Sequence, residues 1–128
     1  MMIVAGLGCR KDCDAGEILR LVEQALAQTA QPRSALSALA APAFKAEAAG
    51  PREAAKALGL PLLLISDDAL KAAEPRSVTP SAAALKATGH ASVAESAALA
   101  AAGEGATLLL PRIKGPSATC ALAKGVES

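Results

Sequence analysis

Aromatic residues are almost absent from this chain of 128 residues, which has one phenylalanine, no tryptophan and no tyrosine. Proteins that hold single-stranded nucleic acid by base stacking need several exposed aromatic rings, so that mode of binding is largely excluded. Basic and acidic residues number 13 and 12, and a net charge of +1 argues against a general electrostatic surface for DNA or lipid. The sequence therefore predicts no nucleic-acid partner and no membrane partner.

Cysteines and long apolar runs are scarce as well. The three cysteines, Cys9, Cys13 and Cys120, are an odd number without a recognised disulfide spacing, and no secretory signal precedes them. No uncharged apolar run approaches the roughly 18–20 residues of a membrane span. These features favour a reducing cytoplasm. The cysteines and the single histidine, His90, are zinc-ligand types, but their spacing matches no zinc module, so we predict no metal site.

Alanine is the abundant residue, with 34 copies, and the larger apolar residues Leu, Ile, Val, Met and Phe add 30 more. Alanine has the highest helix propensity, so the alanine-rich stretches favour helices. A chain of this length is typical of one compact domain. We therefore expect a single domain over residues 1–128, with a modest core of leucine and alanine.

Short apolar runs alternate with segments of helical periodicity. Strands are predicted at 2–7, 61–65, 107–110 and 117–123. Helices are predicted at 14–30, 51–58, 67–72, 79–89 and 92–102. Segment 35–40 fits either a helix or a short strand. Two helix starts carry capping-box spacing, Asp14 with Glu17 and Ser92 with Glu95. The alternation predicts a three-layer α/β/α domain with a mostly parallel or mixed sheet.

The segment Gly6-Leu7-Gly8-Cys9-Arg10-Lys11 follows the first predicted strand and precedes a helix. A dinucleotide fingerprint would need a third glycine at the position of Lys11, so we predict no nucleotide cofactor, and no other cofactor is indicated. The loop amides and Arg10, beside a helix N-terminus, could still receive an anion. A tight turn with two solvated cations is the plain alternative.

Several segments, taken in order, resemble one protein family. They are Gly6–Lys11, the pair Lys45 and Glu47, Thr79-Pro80-Ser81, the positions Gly89, Ser92, Val93, Ala94, Glu95, Ala98 and Leu99, and then Leu108–Leu110, Lys114 and Ala118–Ala123. Together they are similar to the cobalamin-biosynthesis CobE family, shared with the C-terminal domain of CbiG. The chain resembles the free-standing CobE form. It departs from the family at Asp12-Cys13-Asp14, where small or hydroxyl residues are usual.

The resemblance implies a role in cobalamin (vitamin B12) biosynthesis, with a corrin or precorrin intermediate as ligand and other enzymes of the pathway as further partners. In multidomain relatives it implies opening of a lactone ring on a corrin precursor, with release of a two-carbon aldehyde. Two functions stay open for this chain: binding or handing over the precursor without chemistry, and hydrolysis of its lactone. The sparse acid–base inventory favours the first. The sequence does not decide the oligomeric state.

Corrin precursors are fringed by carboxylates, so their site needs dispersed cations and hydrogen-bond donors. The predicted substrate-binding residues are Gly8, Cys9, Arg10, Lys11, Lys45, Thr79, Ser81 and Lys114. Arg10 offers a planar fork for a carboxylate, and Ser81 lies in a helix first turn, where amide donors are free. The predicted catalytic residues are Glu95 and Glu47. Helix capping is the alternative for Glu95, and an ion pair with Lys45 is the alternative for Glu47.

Overall fold

The described part of the chain alternates strands and helices. The computed structural model describes residues 3–9, 14–43, 49–73, 93–103, 105–115 and 118–125. The strands are β1 (Ile3–Cys9), β2 (Leu36–Pro42), β3 (Leu62–Ile65), β4 (Thr107–Lys114) and β5 (Ala118–Lys124). The helices are α1 (Ala15–Gln28), α2 (Ala49–Leu58), α3 (Asp67–Ala73) and α4 (Val93–Ala102), and a 3-10 turn, Arg33–Ala35, precedes β2. The helix predicted at 79–89 lies outside the described residues.

The five strands form one sheet in the order β3-β2-β1-β5-β4. Strands β1, β2 and β3 are parallel, whereas β5 is antiparallel to both of its neighbours. The predicted α/β class with a mixed sheet is therefore confirmed. The ambiguous segment 35–40 lies largely in β2, which has neighbours on both sides and is buried at nearly every position. That burial on both faces explains why its sequence shows no clear alternation.

The sheet separates two apolar layers, and alternate residues of β1 contribute to each. Ile3, Ala5 and Leu7 belong to a cluster with the apolar face of α1 and with α2. Val4 points to the other face, where it packs with Leu70 of α3 and Ala97 of α4. Because successive side chains of a strand point to opposite faces, one strand supports both cores. Helices thus cover both faces, as predicted.

Helix α4 packs directly on the backbone of β1 at Gly6. A Cβ placed at Gly6 would come 2.5 Å from the backbone nitrogen of Ala98 and would overlap the carbonyl oxygen of Ala94. Only glycine leaves room for so close an approach. This contact holds the first turn of α4 near the carboxyl end of β1.

The predicted C-terminal ends of α2 and α4 are correct. Gly59 follows α2 with a φ of +70°, and Gly103 follows α4 with a φ of +98°, both in the left-handed region that favours glycine. At the start of α3 the Ser66 hydroxyl accepts a hydrogen bond from the Ala69 N–H at 3.2 Å and so caps this helix.

Two predictions about the strands were wrong. Strand β1 does not end at Leu7 but continues to Cys9, because β5 pairs with it as far as the Cys9–Ala118 pair. Gly8 and Cys9 therefore belong to the sheet rather than to a loop. Strand β4 does not end at Leu110 but continues to Lys114, with irregular pairing to β5 after Leu110. Strand β3 has β2 as its one neighbour among the described strands, and Leu64 there is 47% exposed.

Candidate functional site

The direction of chain progression across the sheet reverses at β1. The chain places β2 and β3 on one side of β1, and β5 and β4 on the other. In open α/β sheets, ligands bind in the crevice outside the carboxyl ends of strands at such a reversal. Here the reversal lies at β1, whose carboxyl end at Cys9 is paired with the amino end of the antiparallel strand β5. We take this end of the sheet as the candidate position, call it the β1–β5 crevice and define it by Gly8, Cys9, Lys114 and Thr119.

Strand pairing brings distant candidate residues to this crevice. Gly8 lies opposite Thr119, and Thr119 in turn lies opposite Lys114 on β4. Gly8, Cys9 and Lys114, which were selected separately from the sequence, therefore share one end of the sheet. The other predicted binding and catalytic residues lie outside the described residues, namely Arg10, Lys11, Lys45, Glu47, Thr79 and Ser81. In the sequence, Arg10 and Lys11 directly follow Cys9.

Thr119 was not among the predicted site residues. A Cβ placed at Gly8 would overlap the Thr119 Oγ1 atom and would lie 3.8 Å from the backbone nitrogen of Ala94. The hydroxyl therefore lies over the Gly8 Cα atom, close to the start of α4, and Thr119 is partly exposed. The sequence feature that could have identified Thr119 is its hydroxyl, which lies among small apolar residues near the start of a predicted strand.

The carboxylate of Glu95 is fully buried. Its Oε2 atom accepts a hydrogen bond from the Arg112 N–H at 3.0 Å. Arg112 belongs to a bulge in β4, where Pro111 and Arg112 together face Ala121. A bulge disturbs the strand ladder, so the carboxylate supplies an acceptor where pairing is irregular. The predicted proton-transfer role of Glu95 stays a prediction, and the Ser92 half of its capping box lies outside the described residues.

The predicted capping box at Asp14 and Glu17 is wrong. Asp14 occupies the N-cap of α1, but its side chain makes no capping hydrogen bond. Glu17 is instead buried, and its Oε2 atom accepts a hydrogen bond from the Ala118 N–H at 2.8 Å. This carboxylate can be buried because the backbone N–H at the start of β5 provides a hydrogen bond for it. A Cβ at Gly115 would lie 2.5 Å from the same oxygen, so glycine makes room for it.

Two glutamates thus hold the hairpin of β4 and β5 from opposite faces of the sheet. Glu17 reaches it from the first turn of α1, and Glu95 reaches it from the first turn of α4. Carboxylates are favoured electrostatically near helix N-termini, which supports both placements. The consequence for the crevice is positional, because the same hairpin carries Lys114 and Thr119.

Cys120 lies in the core on β5 and is fully buried. Burial raises the pKa of its thiol from 9.0 to about 12, so the thiol stays protonated at neutral pH and is not a nucleophile. Within the described ranges, no three side chains of His, Cys, Asp or Glu lie together as a metal site would require. Cys13 and His90 are outside those ranges. None of the described helices is long and apolar enough to cross a bilayer.

Comparison with known proteins decides the family. The family model of the cobalamin synthesis G C-terminus matches residues 3–123, which is nearly the whole chain. The chain belongs to this family. The curated protein CobE from Sinorhizobium sp. is 35% identical over 121 residues, which are 94% of this chain and 79% of that protein. The resemblance predicted from the sequence motifs is therefore confirmed.

Solved structures of cobalamin-pathway proteins share the fold. The crystal structure of CobE, a protein from the cobalamin (vitamin B12) biosynthetic pathway, has a TM-score of 0.91 at 37% identity, covering 99% of this chain and 92% of that one. Cobalamin biosynthesis protein ChiG from Agrobacterium tumefaciens gives 0.78 at 38% identity, with 98% and 99% covered. A cobalamin biosynthesis protein G homologue from Sulfolobus solfataricus gives 0.75 at 25% identity, covering 96% of this chain but 36% of that longer one. As a member of this family, the protein acts in cobalamin biosynthesis.

Proposed function

We propose that this protein binds a carboxylate-rich corrin precursor at the β1–β5 crevice and hands it over within cobalamin biosynthesis. The observation that carries the proposal is that Gly8, Cys9 and Lys114 lie near one another at the carboxyl end of β1, the strand at which the strand order reverses. The exposed Lys114 supplies a cation there, and Arg10 and Lys11 follow Cys9 in the sequence. A rim of carboxylates needs several such separated donors.

Hydrolysis of the precursor's lactone is the alternative function. It would require a base to activate water and donors to stabilise an oxyanion. Glu95, the first predicted base, is fully buried and bound to the Arg112 backbone. This geometry suits a structural carboxylate better than a group that meets a substrate. It therefore supports binding without chemistry, and Glu47 is the remaining candidate base for the alternative.

One titration separates these functions. The purified protein is mixed with a lactone-bearing corrin polycarboxylate, and the absorbance and mass of the corrin are followed. We expect a stoichiometric complex from which the ligand is recovered unchanged. Ring opening with release of the two-carbon aldehyde would establish the hydrolase function instead. Absence of any complex would refute both functions.

The variant Arg10→Ala tests the cationic side of the site. A hydrogen bond to a charged group contributes about 1.5–3 kcal/mol, so we expect the dissociation constant to rise roughly 10- to 100-fold. The matched control is Arg33→Ala, before the amino end of β2 and thus at the opposite end of the sheet. Arg33 lies 3.5 Å from Glu23 in an exposed ion pair, which contributes little to stability. Unchanged affinity in Arg10→Ala would remove Arg10 from the site.

A further inference from the structure

We propose that Thr119 and Lys114 form a carboxylate subsite of the β1–β5 crevice and make it selective for acids over amides. This inference rests on the proposed function and names two side chains that would select the ligand. Thr119 was not a predicted site residue, and its position over Gly8 is what identifies it as a candidate.

The two side chains lie on one face of the sheet. Lys114 and Thr119 are the last cross-strand pair of β4 and β5 at this end. Directly opposed residues of antiparallel strands have Cβ atoms about 4.5–5.5 Å apart and point to the same side. The Thr119 hydroxyl lies over the Gly8 Cα atom, near the first turn of α4, which identifies that side as the α4 face. The ammonium group of Lys114 can therefore approach a ligand that meets the hydroxyl.

Within the described residues, no side chain forms a hydrogen bond with the Thr119 hydroxyl. Thr29 provides the contrast, because its hydroxyl donates to the Ala25 carbonyl oxygen at 2.9 Å at the end of α1. Thr119 is only partly buried, and Lys114 is exposed. A hydroxyl and an ammonium group supply two donors on one side of the crevice.

These donors favour a carboxylate over a carboxamide. A carboxylate offers two oxygens that accept from both donors, and its charge is attracted by the ammonium group. An amide of the same shape has one acceptor oxygen, carries no charge and turns an N–H toward donors. The pair thus predicts discrimination between a corrin polycarboxylate and the same ring with amidated side arms.

The experiment compares Thr119→Val, which removes the hydroxyl at nearly constant shape, with Thr119→Ser, which retains it. Thr107 provides the matched control, because it lies opposite Lys124 at the far end of the same hairpin. Dissociation constants are measured for a corrin polycarboxylate and for its peripherally amidated form. We expect about 10-fold weaker binding of the acid by Thr119→Val, as for a lost hydrogen bond to a charged group. Thr119→Ser and Thr107→Val should retain native affinity, and the amide should distinguish the variants little.

A second variant, Lys114→Gln, keeps the test decisive if Thr119→Val does not fold, because Lys114 is exposed. It should also lower affinity for the acid more than for the amide. The inference is overturned if native and Thr119→Val proteins, or native and Lys114→Gln proteins, bind the acid equally. It is also overturned if these variants weaken binding of the acid and of the amide by the same factor. If the native protein binds neither corrin, the proposed function itself fails. Binding by the native protein without discrimination by the variants refutes the subsite alone, so the two failures are distinguishable.

Discussion

The buried carboxylate of Glu95 gives the most direct test of how the β4–β5 hairpin is held. In Glu95→Ala, the Arg112 N–H loses the acceptor that lies 3.0 Å away. A buried donor left without a partner costs about 1–3 kcal/mol. The side chain also leaves space at a fully buried position, which adds a cavity cost of about 1 kcal/mol or more. Relief from burying a charge opposes these terms. We therefore expect a loss of about 2–4 kcal/mol in the free energy of unfolding.

Urea unfolding followed by circular dichroism measures this loss through the transition midpoint and slope. Glu53→Ala on the exposed face of α2 is the control and should change stability by no more than about 0.5 kcal/mol. Glu95→Gln retains a carbonyl acceptor and should lose less than the alanine variant. Equal stability of Glu95→Ala and Glu53→Ala would refute the structural role of Glu95. Near-native stability in Glu95→Gln with loss of a detected ring-opening activity would restore the catalytic interpretation.

Three further predictions follow from the same packing. Gly6→Ala should destabilise the protein by about 1–3 kcal/mol in urea unfolding, because its Cβ would push α4 off β1, and a native midpoint would contradict that close contact. Glu17→Ala should also lower the urea midpoint, since the Ala118 N–H loses its acceptor, and an unchanged midpoint would show that this bond adds nothing. The Cys120 pKa is raised to about 12, so the unfolded state releases its thiol proton first as the pH rises above 9.0. Stability should therefore fall by up to about 1.4 kcal/mol per pH unit more than in Cys120→Ala between those values, and parallel pH profiles would refute this.

Helix positions were predictable because their signals are local. The periodicity of α1, the glycine after α2 and the Ser66 cap of α3 each depend on residues within a few positions of one another. Such patterns act through backbone conformation and nearby hydrogen bonds, which short segments determine by themselves. The motifs that carry the family resemblance are likewise read directly from the sequence.

The roles of Glu17 and Glu95 were not predictable in the same way. Both are the third residue of their helix, where a capping box places its glutamate, yet the structure gives each a backbone donor on the β4–β5 hairpin. Glu17 and Ala118 are 101 positions apart in the sequence. A spacing rule considers only residues within one helical turn, so it cannot predict a competing backbone donor from a distant strand.

By itself, the sequence determined the α/β alternation, most helix ends and membership of a cobalamin-biosynthesis family. Only the tertiary structure decided that β1 continues through Gly8 and Cys9, that β3 lies at the edge of the described sheet, and that the Thr119 hydroxyl lies over Gly8. The physical reason is that strand order and register arise from pairing between distant segments. Those pairings determine which side chains meet at the carboxyl end of β1, and therefore where the candidate site lies.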